Sequence, residues 1–177
     1  MRPLPFPLPL NLGTDIVHLP RITRLITRPG DYLTRFTRRI LCEQEQHGFR
    51  ARFGAILPTH AHQQEQQQQR FQSSSPLSSR SPIITPDMTR WLAGRFAAKE
   101  AARKAAPGGA AAVGWKDVLV RIEADSNSPA GDGGTVSRRP EVVYLGGAGE
   151  EAVEGRVGRL SISHDGEYVV ATVLAAG

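Results

Sequence analysis

A chain of 177 residues with 40% hydrophobic and 22% charged side chains has the make-up of a soluble globular protein long enough for one domain with a real core. No apolar run approaches the roughly 18 residues of a membrane span, and the single cysteine, Cys42, excludes an internal disulfide and a thiolate zinc site and fits a reducing compartment. The net charge is +5, and Arg21, Arg24, Arg28, Arg35, Arg38 and Arg39 crowd near the N-terminus with only Asp31 among them, which describes either a solvated basic face or a surface for an acidic partner.

Residues 1–9 belong to a run of alternating proline and apolar residues, MRPLPFPLPL, read as a short extended arm. It lacks the apolar core of a secretory signal and the amphipathic helix of a transit peptide, and leaves a cytoplasmic or a mitochondrial location open. The pattern LNLGTDIVH predicts a strand over Leu10 to His18, bounded by Pro20. A short helix over Arg21 to Arg28 follows, with Ile22, Leu25 and Ile26 on one face. Pro29-Gly30 ends it, and Asp31 is the expected N-cap of a second helix burying Leu33, Phe36, Ile40 and Leu41.

Residues 60–86 then carry HQQEQQQQRFQ and SSSPLSSRSP, tracts too polar to offset their ordering entropy, and are expected to form a disordered insertion within a domain spanning 10–177. Thr85 or Asp87 can cap a long helix reaching about Ala106, stopped by Pro107-Gly108-Gly109. Strands are predicted over Trp115 to Ala124 and around Glu141 to Leu145, with a short helix over Glu150 to Val157. Two final strands, RLSISH and YVVATVLA, join at Asp165-Gly166 as a hairpin. The fold class is α+β, one long helix packed on a mostly antiparallel sheet.

Three blocks place charge in apolar surroundings: GTDIV at Gly13 to Val17, RFAAKEAARKA at Arg95 to Ala105, and SISHDGEY at Ser161 to Tyr168. Asp15 lies in an apolar strand, where a carboxylate is costly unless paired or bound to a cation, although an aspartate facing solvent is the plainer alternative. Phe96, Glu100 and Lys104 share one helical stripe, with Lys99 and Arg103 on the next; a routine Glu100–Lys104 surface pair is the plainer reading there. His164 closes a strand at a turn. Together, two carboxylates, two lysines and a histidine suit phosphoryl transfer, in which magnesium takes hard oxygen ligands and lysines neutralise phosphate charge. No phosphate-binding loop of the GxxxxGK[ST] type is present.

These blocks resemble the holo-[acyl-carrier-protein] synthase type of 4′-phosphopantetheinyl transferase. The family's opening motif stands here as Gly13, Asp15, Ile16, Arg21 and Ile22, and its next block as RFTRRIL at Arg35 to Leu41. The most specific motif stands as Phe96-Ala97-Ala98-Lys99-Glu100-Ala101 with Lys104, WKDVLVRI matches the following strand, and SISHDGEYVVATVLA matches the closing hairpin. The resemblance implies that Asp15 and Glu100 bind Mg²⁺, and that Lys104 and Lys99 contact phosphate oxygens of coenzyme A or shape the ionic network. It implies that His164, with Ser163 beside it, holds the phosphoadenosine end, and that Arg21, Arg24 and Arg28 meet the acidic helix of an acyl carrier protein. The serine proton has three candidate acceptors: a metal-bound water, Glu100 or Asp15. The resemblance also implies a homotrimer with active sites between subunits. The turn after the catalytic helix, PGGAAAVG, departs from the family's G-T-G-like form. The competing classes are a noncatalytic relative, against which the intact Asp15, Glu100 and Lys104 stand, and a nucleic-acid-binding protein. The latter lacks a recognisable motif and has only 6% aromatic residues, so no nucleic-acid partner is expected.

Overall fold

The computed structural model describes residues 7–57, 82–122, 139–146 and 155–177; the glutamine-rich tract and most of the 150–157 segment lie outside them. Strand β1 occupies Leu10–His18, the bounds that its apolar alternation predicts. Helix α1 (Leu19–Ile26) follows directly and buries Ile22 and Ile26. It starts two residues earlier than expected because Pro20 falls in its first turn, where a missing N–H is harmless. Helix α2 (Tyr32–Ile40) buries Leu33, Phe36 and Ile40, and Leu41 is buried just beyond its end. Asp31 is not the cap expected of it: it takes a left-handed conformation (φ 63°) and makes no side-chain cap hydrogen bond.

Helix α3 (Glu43–Phe53) has no counterpart in the sequence reading. Its segment EQEQHGFRARF is polar with a glycine inside, and its helical state rests on tertiary packing. Phe49 and Phe53 meet the Trp91 ring at centroid distances of 5.6 and 6.0 Å. Helix α4 (Pro86–Ala105) starts at Thr85, whose hydroxyl accepts from the Met88 N–H at 3.1 Å, deciding between the two candidate caps. The bidentate pair Arg52–Asp87 ties α3 to the start of α4.

The sheet order is β1-β5-β4-β3-β2, with every neighbouring pair antiparallel. Strand β2 is Val118–Ile122, preceded by a 3₁₀ turn at Trp115–Asp117 where the sequence suggested strand. Strand β3 is Pro140–Tyr144 and β5 is Tyr168–Ala176. Strand β4 runs Arg156–Asp165, so Arg156 and Val157 are strand and not the end of a helix. The β4–β5 turn has Gly166 at φ +51° followed by Glu167, one residue later than the Asp165-Gly166 signal.

One face of the sheet carries α4, whose Ala97, Ala98, Ala101, Ala102 and Ala105 are fully buried. Gly13 makes that packing possible. A Cβ there would stand 2.0 Å from the Ala101 carbonyl oxygen and 2.7 Å from the Ala105 nitrogen. Glycine in a strand marks such a close backbone approach, and here it brings β1 against the last turns of α4.

Candidate active site

Side chains alternate across a strand, so Asp15 shares the helix-facing side of β1 with Gly13 and the buried Val17. The close contact at Gly13 sets Asp15 beside α4, where Lys104 Nζ donates to Asp15 Oδ1 and to the Thr14 carbonyl, each at 2.9 Å. The Asp15 side chain is 17% exposed and that of Lys104 44%, so the pair lines a rim and not the core. Glu100 lies one turn before Lys104 on the same helical stripe. It pairs with Arg103, whose Nη1 donates to Glu100 Oε1 at 2.9 Å. The plain Glu100–Lys104 surface pair is therefore not what forms; each cation serves a different carboxylate. Phe96, the first residue of the stripe, is half-buried against Phe36 and Trp115 at centroid distances of 5.9 and 4.8 Å.

Lys99 departs furthest from expectation. Its side chain is 0% exposed, and its ammonium donates to the Trp115 carbonyl at 2.9 Å, the Val118 carbonyl at 2.6 Å and Glu45 Oε2. An ammonium has three donors, so none remains for a phosphate. Of the two roles the resemblance offered, Lys99 occupies the ionic network and not the phosphate contact. Burial pushes its pKa below the ordinary lysine value, and the Glu45 carboxylate pushes back.

Glu45, absent from the candidate residues, is the centre of that network. Its Oε1 accepts from the Val120 N–H at 3.2 Å, and its Oε2 from the Cys42 N–H at 3.0 Å. Strand β2 is the sheet edge, and the Lys99–Glu45 pair takes its outward groups, the Val118 carbonyl and the Val120 N–H, as another strand would. Arg95 stacks on Trp91, 3.5 Å from the ring centroid, and burial lowers its pKa to about 10. The available signal was local: a glutamate three residues into a helix, reaching back to the N-terminal backbone.

The remaining candidates lie elsewhere. His164 is exposed on the helix-facing side of β4, two strands from β1 and about 12 Å from Asp15 by strand spacing and rise. Ser163 points the opposite way, to the outer face of the sheet, so a single chain does not gather it with Asp15 and Glu100. Arg21 and Arg24 are exposed on α1, with Arg28 just past its end, 5.8 Å from the Tyr32 ring centroid. Beside them a pocket of about 480 Å³ is lined by Leu19, Thr23, Arg24, Pro86 and Arg90, among others.

Residues 11–173 match the family model described as the 4′-phosphopantetheinyl transferase superfamily. The chain belongs to this superfamily. A relative from Aspergillus fumigatus, "4'-phosphopantetheinyl transferase B, mitochondrial", is 59% identical over the full length of both chains. A holo-[acyl-carrier-protein] synthase from Gloeobacter violaceus is 33% identical over 94% of this chain and 92% of its own. The membership makes the chain an enzyme, a 4′-phosphopantetheinyl transferase of the holo-[acyl-carrier-protein] synthase type. Among solved structures, a holo-[acyl-carrier-protein] synthase from Neisseria meningitidis matches with TM-score 0.51 and 26% identity, covering 94% of this chain and 98% of the other. The Bacillus anthracis synthase, solved in complex with CoA (3′,5′-ADP), shares the fold at TM-score 0.54 and 24% identity, covering 94% and 96%. Among the described residues no helix is long and apolar enough to cross a membrane.

Proposed function

We propose that this transferase moves the 4′-phosphopantetheine arm of coenzyme A to a serine of an apo acyl carrier protein, releasing 3′,5′-ADP, in a magnesium-dependent reaction. The observation that carries the proposal is the Asp15–Lys104 pair bridging β1 and α4, with Glu100, paired to Arg103, one turn before Lys104 on the same helix. Asp15 Oδ1 and Glu100 Oε1 are engaged by cations, while Oδ2 and Oε2 accept no hydrogen bond among the described residues. Two part-exposed carboxylates with free oxygens fit magnesium, which is usually held by one or two carboxylates plus substrate phosphates.

Asp15 and Glu100 would hold the ion, which when bound neutralises charge on the coenzyme's pyrophosphate. Lys104 would turn from Asp15 toward the phosphate oxygens, its exposure leaving it free to do so. The serine oxygen bonds to the β-phosphorus as the bond to the 3′,5′-ADP oxygen breaks, and the serine proton passes to Glu100, Asp15 or a water. The chain's contribution is positioning and charge. Arg21 and Arg24, with Arg28, would orient the acidic carrier protein, and the pocket beside Arg24 and Arg90 would receive part of it.

In the homotrimer that the family resemblance implies, a neighbour's His164 would hold the phosphoadenosine end. Leu12, Ile16, Val157, Tyr168 and Leu174 are exposed on the outer face of the sheet, an apolar surface that fits burial in a homotrimer. In this layout residues 10–177 form one transferase domain and 60–86 an insertion in it. The mitochondrial relative supports a mitochondrial carrier protein as the substrate.

Intact-mass spectrometry of an apo acyl carrier protein incubated with the enzyme, coenzyme A and Mg²⁺ tests the reading. The expected result is a gain of one phosphopantetheine, abolished by EDTA. No gain with several carrier proteins from folded enzyme would overturn the proposed acceptor, and EDTA-resistant transfer would overturn the metal.

A further inference from the structure

We infer that Arg103 is a positioning residue that couples the Glu100 carboxylate to the loop from Pro107 to Gly114, an inference that rests on the proposed role of Glu100 as a magnesium ligand. One guanidinium reaches three acceptors. Nη1 donates to Glu100 Oε1 at 2.9 Å, Nη2 to the Ala110 carbonyl at 2.7 Å, and Nε to the Val113 carbonyl at 2.7 Å. The indole of Trp115 stacks against it, 5.0 Å from ring centroid to guanidinium carbon. The Arg103 and Glu100 side chains are both about four-fifths buried, so the fork is shielded from competing water.

The loop has few anchors of its own. Gly108 and Gly109 take φ +80° and +74°, and the turn bonds inside it run from Gly109 N–H to the Ala106 carbonyl and from Ala112 N–H to the Gly109 carbonyl. Arg103 supplies the cross-ties that fold this glycine- and alanine-rich stretch back onto α4. The same side chain fixes which Glu100 oxygen is engaged and which is left to a cation. Loop and carboxylate are thereby locked to one planar group, and displacement of either is felt by the other.

Lysine separates this role from simple charge pairing. It preserves the positive charge beside Glu100 but cannot span three acceptors, so a defect in Arg103→Lys reports lost geometry and not lost electrostatics. Trp91 and Trp115 are the only tryptophans, so a Trp91→Phe background leaves Trp115, stacked on Arg103, as a fluorescent reporter. Trp115 emission is titrated with Mg²⁺ in the presence of coenzyme A, and transfer to apo carrier protein is measured on the same samples.

In Arg103→Lys, the Mg²⁺ midpoint is expected to rise roughly tenfold or more and kcat to fall about 10- to 100-fold, with KM for the carrier protein within about twofold of the parent. A parental midpoint and kcat in Arg103→Lys would overturn the inference while leaving the role of Glu100 standing. A parent with neither a metal-dependent emission change nor transfer would remove the role of Glu100 and the inference with it. If Arg103→Lys does not fold, Arg103→Gln is measured with the same expectations. Unfolding of both would assign Arg103 to stability alone and overturn its positioning role.

Discussion

Helix α4 carries two ion clusters built from neighbouring residues, and they differ in almost every physical respect. Lys99 and Glu45 are sealed in the interior, where the lysine's donors are spent on a carboxylate, one carbonyl of the edge strand and one of the 3₁₀ turn before it. Asp15–Lys104 and Glu100–Arg103 are part-exposed pairs, and among the described residues both carboxylates keep an oxygen without a hydrogen-bond partner. Lys99 and Glu100 are adjacent in the chain, yet the first is committed to holding the sheet edge and the second remains available to a ligand. Adjacency on a helix turns consecutive side chains by about 100°, which is enough to divide one motif between the buried interior and the proposed site.

The difference can be broken from either side. Lys99→Met removes the hydrogen-bonded cation of buried Glu45 and leaves it only Arg95, whose Nε is 3.9 Å from Oε1; it should cost about 3–5 kcal/mol of stability, read by urea unfolding. A loss under about 1 kcal/mol would mean that Arg95 and the two backbone N–H groups suffice for the buried carboxylate. On the rim, Asp15→Asn and Glu100→Gln should each lower transfer roughly 10²- to 10³-fold while stability stays within about 1 kcal/mol. Parental turnover in either would detach that carboxylate from the chemistry.

Gly13→Ala sharpens the comparison, because it touches the rim through the fold. The added methyl cannot occupy its space beside the Ala101 carbonyl, so β1 must shift from α4 at a cost of about 1–3 kcal/mol or more. Transfer should fall with it, since Asp15 moves on the same strand. The smallest effect belongs to Arg52→Ala. Its pair with Asp87 is bidentate but half exposed, and removal should cost about 0.2–1 kcal/mol in the same unfolding assay, with no change in transfer.

Much of this architecture was legible in the residues. Strand β1, the capped α4 and the closing hairpin each carry strong local signals: alternation, a Thr-Pro start with a Pro-Gly-Gly stop, and a glycine turn. Helix α3 was not, because its stability comes from Phe49 and Phe53 on Trp91 and from Glu45 on β2, contacts invisible to local periodicity. The 3₁₀ turn at Trp115–Asp117 hid for a similar reason: its strand-like alternation gives way to Lys99 holding the Trp115 carbonyl. At the site, motif identity marked Asp15, Glu100 and Lys104, but partners depend on tertiary geometry. Sequence spacing suggested Glu100 with Lys104; the close approach at Gly13 gives Lys104 to Asp15 instead. The split of Ser163 and His164 to opposite faces follows from strand alternation alone, and the motif reading overlooked it.

The pairing of β1 with β5 has a consequence for how the enzyme comes into being. Thr14 and Thr172 meet across these strands at a separation of 158 positions, so the ribosome has nearly finished the last strand before the first can find it. Closing so long a span is slow compared with making local hairpins and helices. Asp15 rides on the first of these strands, which reaches its sheet partner only after the last has been made. A chain whose first and last strands have not yet paired would lack the sheet position that sets Asp15 beside α4, so the proposed site is complete only when the whole sheet is.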